Sequence, residues 1–486
     1  MARPNARKRK SRAKPESSRC RGHKNPHPSM VMQNLKAKHG SRETWVDFIK
    51  TQRNIRVYRD QVSHLWHTLL HEIGGVAKTS MGAFLNPMVT LPIFIALALR
   101  DNVLHSGAGT LYTPELCVFL DAASFQPYGK SKVQLLAVTL PQARRPHQPG
   151  LVHKIGRWLG PDKADNWDKV FHDLNFVNSL KQVLQGPTSF RLVISPDWAC
   201  LVALLNWVPA GHARACHCCW ANRSDWKRAG HQQAPCRRRK DYVSPLEMFL
   251  ELFESELDIV YDVGHCVALV LRHMVLYGVW IWVDRKAPQL LSALRGVYCR
   301  ATRGSFKPPQ STKIGNKEWA LTCKAGKALL ANDAFWDGMA HLLPRSRDGL
   351  VCIDARNHHA HVLRDPVHRY LLEVRRLCVQ LMSWCPERVG TRDYDCMELH
   401  YLYEALQLPV ERMSVNCHYF LSHYQSRLER HGNLVGLSTE GGEHSHKMDK
   451  KIVSRRPSFP RGHCPVGLVS CQEHSGVSLA LWKRCE

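Results

Sequence analysis

No run of eighteen apolar residues occurs in this chain of 486, which argues against a membrane-spanning helix. The two nearest approaches are Met88 to Leu99, interrupted by Pro92, and Met274 to Val283, bounded by Arg272, His273 and Asp284. Both read as buried core, so no membrane insertion is expected. No apolar segment follows the basic start, and a secretory leader is therefore not expected. Acid is scarce, with 41 Asp and Glu against 68 Lys and Arg, giving a formal net charge of +27. Such a surplus favours a polyanionic partner, because clustered cations gain free energy by releasing phosphate counterions. DNA is the expected partner, RNA is the second polyanion of the same kind, and a homo-oligomer stays open.

Two enzyme signatures are also missing. In Lys324-Ala325-Gly326-Lys327 a phosphate loop would need Gly at position 321 and Ser or Thr at 328, where Leu321 and Ala328 stand. No serine-nucleophile elbow is present either. Cysteine, by contrast, is plentiful: eighteen in a long chain without an expected leader read as reduced thiols, some of them metal-bound, rather than as a disulfide scaffold.

A hydrophobic content of 44% is enough for a sizeable core and two or three domains. Residues 1–42 carry 13 Lys or Arg and one acid, Glu16, and read as a disordered basic arm. Its cluster Arg7, Lys8, Arg9, Lys10, Arg12 and Lys14 has the composition of a nuclear-targeting or nucleic-acid-contacting segment, and the nucleus is the expected location. Residues 43–114 form a helical entry region. Residues 115–243 form an α/β portion with a Cys-rich segment, 244–430 a largely helical block opened by Ser244-Pro245-Leu246-Glu247, 431–455 a last helix, and 456–486 a tail with Cys464, Cys471 and His474.

Within the α/β portion, Leu116 to Leu120 and Val133 to Leu140 read as a hairpin around the turn Pro127-Tyr128-Gly129-Lys130. Residues 141–169 read as loop-rich, Lys169 to Leu184 as a helix, Phe190 to Ile194 as a strand and Trp198 to Trp207 as a helix. That order fits parallel or mixed α/β architecture.

Asp121 directly follows the first strand and Asp197 closely follows the last. Carboxylates at the ends of neighbouring strands suit Mg²⁺, which takes hard oxygen ligands and bridges a phosphate at two points. Ordinary strand-to-turn junctions have the same look. Glu443, after Gly441-Gly442, is the late acid that completes such a site, or else it joins Glu440 in capping a helix. Cys216 and Cys219 in Cys216-His217-Cys218-Cys219 have the spacing that places two thiolates on one Zn²⁺. The other ligands would come from His212, His231, Cys236 or His265; unligated thiols in a buried turn and redox chemistry are the other readings.

Taken in order, Val118-Phe119-Leu120-Asp121-Ala122, Ser195-Pro196-Asp197-Trp198, Cys216-His217-Cys218-Cys219, Asp262-Val263-Gly264-His265 and His431-Gly432-Asn433-Leu434 with Ser438-Thr439-Glu440-Gly441-Gly442-Glu443 resemble transposase-derived proteins. These have an RNase H-like core and a long helical insertion. The resemblance covers about residues 115–455 and rests on order more than on any single motif. It implies an RNase H-like mixed sheet interrupted by a largely helical insertion, with Asp121, Asp197 and Glu443 as catalytic ligands of Mg²⁺ in DNA strand cleavage and transfer. Ala122-Ala123 and Trp198-Ala199-Cys200 depart from the small or basic residues expected beside the acids, and no complete amino-terminal zinc module is visible. A domesticated or inactive copy fits those departures. So do a non-enzymatic nuclear nucleic-acid-binding protein and a zinc-stabilised protein-interaction scaffold.

Overall fold

The computed structural model describes residues 72–100, 113–124, 132–143, 152–161, 163–226, 236–238, 241–304, 306–308, 321–343, 350–353, 360–363, 365–382, 396–408, 413–432 and 434–438, except for a position or two within some strands and helices whose side chains are not described. All of them belong to one compact unit, Leu65–Glu486. The basic arm, residues 43–71, the Pro127 to Lys130 turn and the segment carrying Glu440 and Glu443 lie outside the described residues.

The described chain opens with an antiparallel hairpin, β1 (Val76–Thr79) and β2 (Gly82–Leu85), followed by α1 (Pro87–Arg100). The helical entry region therefore begins, in its described part, with strands. Next come β3 (Glu115–Ser124), β4 (Lys132–Thr139) and β5 (Val152–Leu159), an antiparallel meander. Two helices, α2 (Ala164–Asp173) and α3 (Phe176–Leu184), cross to β6 (Arg191–Ile194), which joins parallel to β3. Strand order is β5-β4-β3-β6. The chain at Ile259 bridges in parallel to Ile194, with Val260 N donating to Ile194 O at 2.9 Å and Asp262 N to Pro196 O at 3.1 Å, so a short fifth segment runs beside β6. The molecule is thus mixed α/β with a small mixed sheet.

Two expectations need correction. The stretch 141–169 contains β5, and the single helix expected over Lys169 to Leu184 is two, broken at Asn175, which takes φ of 49°. A non-glycine residue in the left-handed region cannot continue a helix.

Alternation along β3 sorts its side chains by face. Leu116, Val118 and Leu120 enter one core with Leu192 and Ile194 of β6, Leu91 and Phe94 of α1, and Val170, Phe171 and Leu180 of α2 and α3. Cys117 and Val193 belong to the opposite core, which is built mostly from helices. Helices α4 (Trp198–Leu204) and α5 (Glu247–Leu250) add Leu201, Leu204, Phe249 and Leu250 to the first core, whereas the second is built from α6 (Val263–Lys286), α7 (Leu291–Ala301), α8 (Cys323–Leu330) and α9 (Asp333–Leu342). A hairpin of β7 (Leu350–Ile353) and β8 (Ala360–Leu363) interrupts the series before α10 (Pro366–Met382), α11 (Met397–Ala405), α12 (Val415–Ser422) and α13 (Tyr424–His431).

Helix α6 is long and apolar enough to cross a membrane, but 83% of its most apolar window is buried inside the protein. It is the core helix around which the others pack. Its middle, Leu271–Gly278, winds with the wider π repeat. Tyr370 and Tyr298 donate their hydroxyls to the carbonyls of Met274 and Val275, both at 3.1 Å, within that stretch.

The end of α13 is tied to the start of the sheet. His431 Nδ1 lies 2.6 Å from Glu115 Oε1, both side chains being about 1% exposed or less, and its Nε2 lies 3.0 Å from Leu257 O. Arg430 holds Asp258 at 2.5 Å and Glu254 at 3.1 Å. Five residues past α13, the backbone at Gly436 passes so close to Pro141 O that a Cβ would collide with it.

Candidate metal centre

Cys216 and Cys219 sit in a tight turn whose carbonyls are held by one buried arginine. Arg237 Nε donates to Cys216 O and Cys219 O, both at 3.0 Å, and Arg237 N donates to Cys218 O at 2.9 Å. Fixing two carbonyls with one guanidinium points the thiols to the other side of the turn. There they meet His418 of α12 and His423, the residue between α12 and α13.

The spacing of those histidines needs the helix to end where it does. At about 100° per residue, positions five apart on a continuous helix point about 140° away from each other. His423 takes φ of −126° and ψ of −23°, breaking the helix and turning its ring back toward His418. His418 Nε2 and His423 Nε2 are 3.2 Å apart, Cys216 Sγ is 3.2 Å from His423 Nε2, and Cys219 Sγ is 3.3 Å from His418 Nε2. All four donor atoms lie within 4.8 Å of one another. A tetrahedral zinc ion with its usual bond lengths sets donor-to-donor edges of roughly 3.3 to 3.8 Å. The cluster can hold a metal ion such as zinc, and with four protein donors it has the closed form of a structural site.

Surrounding contacts orient the ligands. The His418 ring stacks on Trp226 with centroids 4.6 Å apart and planes 9° from parallel, and its Nδ1 is 3.4 Å from Ser422 Oγ. Ser414 caps α12 by accepting from Cys417 N, and its hydroxyl is 3.0 Å from His273 Nδ1 on α6. A hydrogen bond from Cys216 outweighs burial, and with help from His418 and His423 it holds the Cys219 thiol far below its ordinary range. Burial opposes ionisation of Cys218, yet its bond to Cys216 and the guanidinium of Arg427, 3.0 Å away, lower that thiol as well.

The sequence located both cysteines but not their partners. His265, taken as a further zinc ligand, is grouped instead with Asp262 and Cys323. Asp262 caps α6, accepting from Gly264 N and His265 N, and its carboxylate also meets His265 Nδ1. Burial works against a charged His265, but the bond to Asp262 and then that to Cys323 push it from 6.5 up to about 12. With its carboxylate committed to the ring and to backbone amides, Asp262 reads as the buried half of an ion pair with a partly exposed His265. Of the other candidates, His212 accepts from Arg214 N at 3.1 Å and Cys236 is exposed, bridging backbone with Cys219; neither joins the cluster. His231 is outside the described residues. The signal that was available is His-x₄-His at 418 and 423, a usual zinc spacing displaced 199 residues from Cys219.

Asp121 lies inside β3, opposite Leu135 of β4, and Asp197 lies three residues beyond the end of β6. Val118 of β3 is level with Ile194 of β6 in parallel register, and each acid lies three residues further along. Alternation puts Asp121 on the Cys117 face of the sheet. Asp197 is the N-cap of α4, its Oδ1 accepting from Cys200 N at 2.7 Å, and Asp121 Oδ1 accepts from Ala122 N at 2.8 Å. Both are half-buried.

No protein-family model matches this chain, and no curated protein matches it.

Proposed function

We propose that the chain is an RNase H-like, transposase-related protein that binds DNA and performs divalent-metal-dependent strand cleavage and transfer, with a structural zinc ion held between its Cys-rich segment and its helical insertion. The observation that supports this reading is that Asp121 is carried by β3 and Asp197 follows its parallel neighbour β6, each three residues beyond the last registered pair, Val118 and Ile194. Acids 76 residues apart gain common access to a cation only if their strands are neighbours, and strands β3 and β6 are.

Adjacent strands lie about 4.8 Å apart, close enough for end carboxylates to share an ion with metal–oxygen distances of about 2.1 Å. Asp121 and Asp197 would hold Mg²⁺ there, with Glu443 as the third ligand by resemblance. When bound, such an ion supplies Lewis acidity and lowers the pKa of an attacking water or 3′-hydroxyl. The chain's own part is to fix the carboxylates in place. Helix capping does so for Asp197, and the bond to Ala122 N for Asp121. The surplus of Lys and Arg, including the basic arm, positions phosphates and favours nuclear DNA.

The helical block between Asp197 and Glu443 contains His418 and His423, while Cys216 and Cys219 precede it. Zinc there would clamp the end of the insertion to the segment following α4. The test is a strand-nicking and strand-transfer assay on supercoiled DNA with Mg²⁺ or Mn²⁺. Asp121→Asn and Asp197→Asn should abolish product while salt-sensitive DNA binding persists; equal product from both variants and the parent removes the assignment.

A further inference from the structure

A cavity of about 470 Å³ adjoins the cysteine–histidine cluster, and its wall includes Arg237, Arg427, His217, Tyr242 and Ser426. That volume falls in the range of small-ligand sites. Arg237 is 2% exposed and Arg427 3%. Arg237 spends its Nε on two carbonyls, and its guanidinium lies 4.3 Å from the ring centroid of Trp207 and 3.6 Å from that of Trp220.

What is left is the outer fork. Among the described residues Nη1 and Nη2 of Arg237 have no hydrogen-bond partner, and the same holds for Nε of Arg427 and Nδ1 of His217 on the same wall. Arg427 Nη2 is engaged by Cys218 Sγ at 3.0 Å. Buried polar groups in folded proteins are nearly always partnered, so three guanidinium N–H groups and a ring nitrogen left over around one cavity call for an occupant. Among the described residues the wall carries two guanidiniums, one carboxylate, Glu256, and the thiols of Cys218 and Cys219, of which Cys218 is taken by Arg427 and Cys219 belongs to the metal cluster, so the Arg237 fork faces no anion of its own. A planar guanidinium fork pairs with an oxyanion through two parallel hydrogen bonds.

We propose that this cavity is a binding site for one phosphate group, held by the fork of Arg237 and supported by Arg427. The group would come from a polynucleotide backbone or from free phosphate. The proposal does not depend on Asp121 and Asp197 acting in catalysis.

Isothermal titration calorimetry of the zinc-loaded full chain tests it, with inorganic phosphate and the phosphodiester dinucleotide d(TpT) as titrants. The wild type should bind at least one of them at a single saturable site. Arg237→Lys, which keeps the charge but loses the fork, should weaken that binding at least tenfold, and Ser426→Asp, which adds an anion to the wall, should do the same. Saturation by inorganic phosphate identifies a free-phosphate site, and saturation by d(TpT) alone identifies a backbone site. If Arg237→Lys fails to fold or loses zinc, Ser426→Asp decides. Absence of saturable binding by either titrant, or wild-type affinity in a folded Ser426→Asp, overturns the proposal.

Discussion

Replacing His418 by phenylalanine separates the metal from the packing around it. Phenylalanine keeps an aromatic ring to stack on Trp226, where the native centroids are 4.6 Å apart, and deletes the Nε2 that lies 3.3 Å from Cys219 Sγ and 3.2 Å from His423 Nε2. The stability lost is then mainly that of ligation. A ligand present at about a thousand times its dissociation constant stabilises the folded state by about 4 kcal/mol. At about 2 °C per kcal/mol for a large cooperative unit, that is a fall of about 8 °C in Tm. Metal content by plasma mass spectrometry should drop from one zinc per chain in the wild type to near zero in His418→Phe. In thermal unfolding followed by near-ultraviolet circular dichroism, a chelator should bring the wild type down to the variant and leave the variant unmoved. A full zinc equivalent retained by His418→Phe, or equal losses to chelator in both proteins, would refute the reasoning.

Asp197→Asn should leave the unfolding free energy within about 0.5 kcal/mol of the wild type, because Asn caps a helix about as well as Asp, whereas Asp197→Ala should cost about 1 kcal/mol through loss of the bond to Cys200 N; urea unfolding measures both. Gly436→Ala should cost about 1 to 3 kcal/mol, since the added methyl meets the rigid carbonyl of Pro141, and an unchanged urea midpoint would contradict that close approach. Glu115→Gln should cost about 3 kcal/mol by removing the buried carboxylate that meets His431 at 2.6 Å and Arg191 at 3.6 Å, and a neutral result would mean these contacts are not buried in solution. For His265 the folded pKa is raised from 6.5 to about 12, so its contribution is complete below pH 6.5 and fades as pH rises toward 12. His265→Asn should accordingly be more destabilised relative to wild type at pH 6 than at pH 10, and a deficit that grows with pH would reverse the sign of that account.

Strands β3 and β6 were legible because they carry continuous apolar runs, and such runs in a buried sheet announce themselves, although β3 continues past Asp121 to Ser124 instead of ending before it. Strand β5 was not, because Val152-His153-Lys154-Ile155-Gly156-Arg157-Trp158 mixes three polar basic residues into a segment that is nonetheless buried. His153 bonds Thr90 at 3.2 Å and stacks on Phe94, so tertiary partners satisfy polarity that reads as loop in one dimension. The metal cluster was half legible for a similar reason. Cys-x-x-Cys is a local signal, but the fold alone decides which of 28 histidines stand beside it. His265 was nearer in sequence, yet an adjacent carboxylate, Asp262, had already claimed it.

The most direct test of the paired acids needs no knowledge of the DNA target. Loading the protein with Fe²⁺ in place of Mg²⁺ and adding ascorbate and peroxide generates hydroxyl radicals at the bound ion, and mass spectrometry maps the resulting backbone cuts. The account predicts cuts within a few residues of both Asp121 and Asp197, suppressed by excess Mg²⁺ and lost in Asp121→Asn. Cuts at only one of the two acids, or cuts at both that persist in Asp121→Asn, would contradict it.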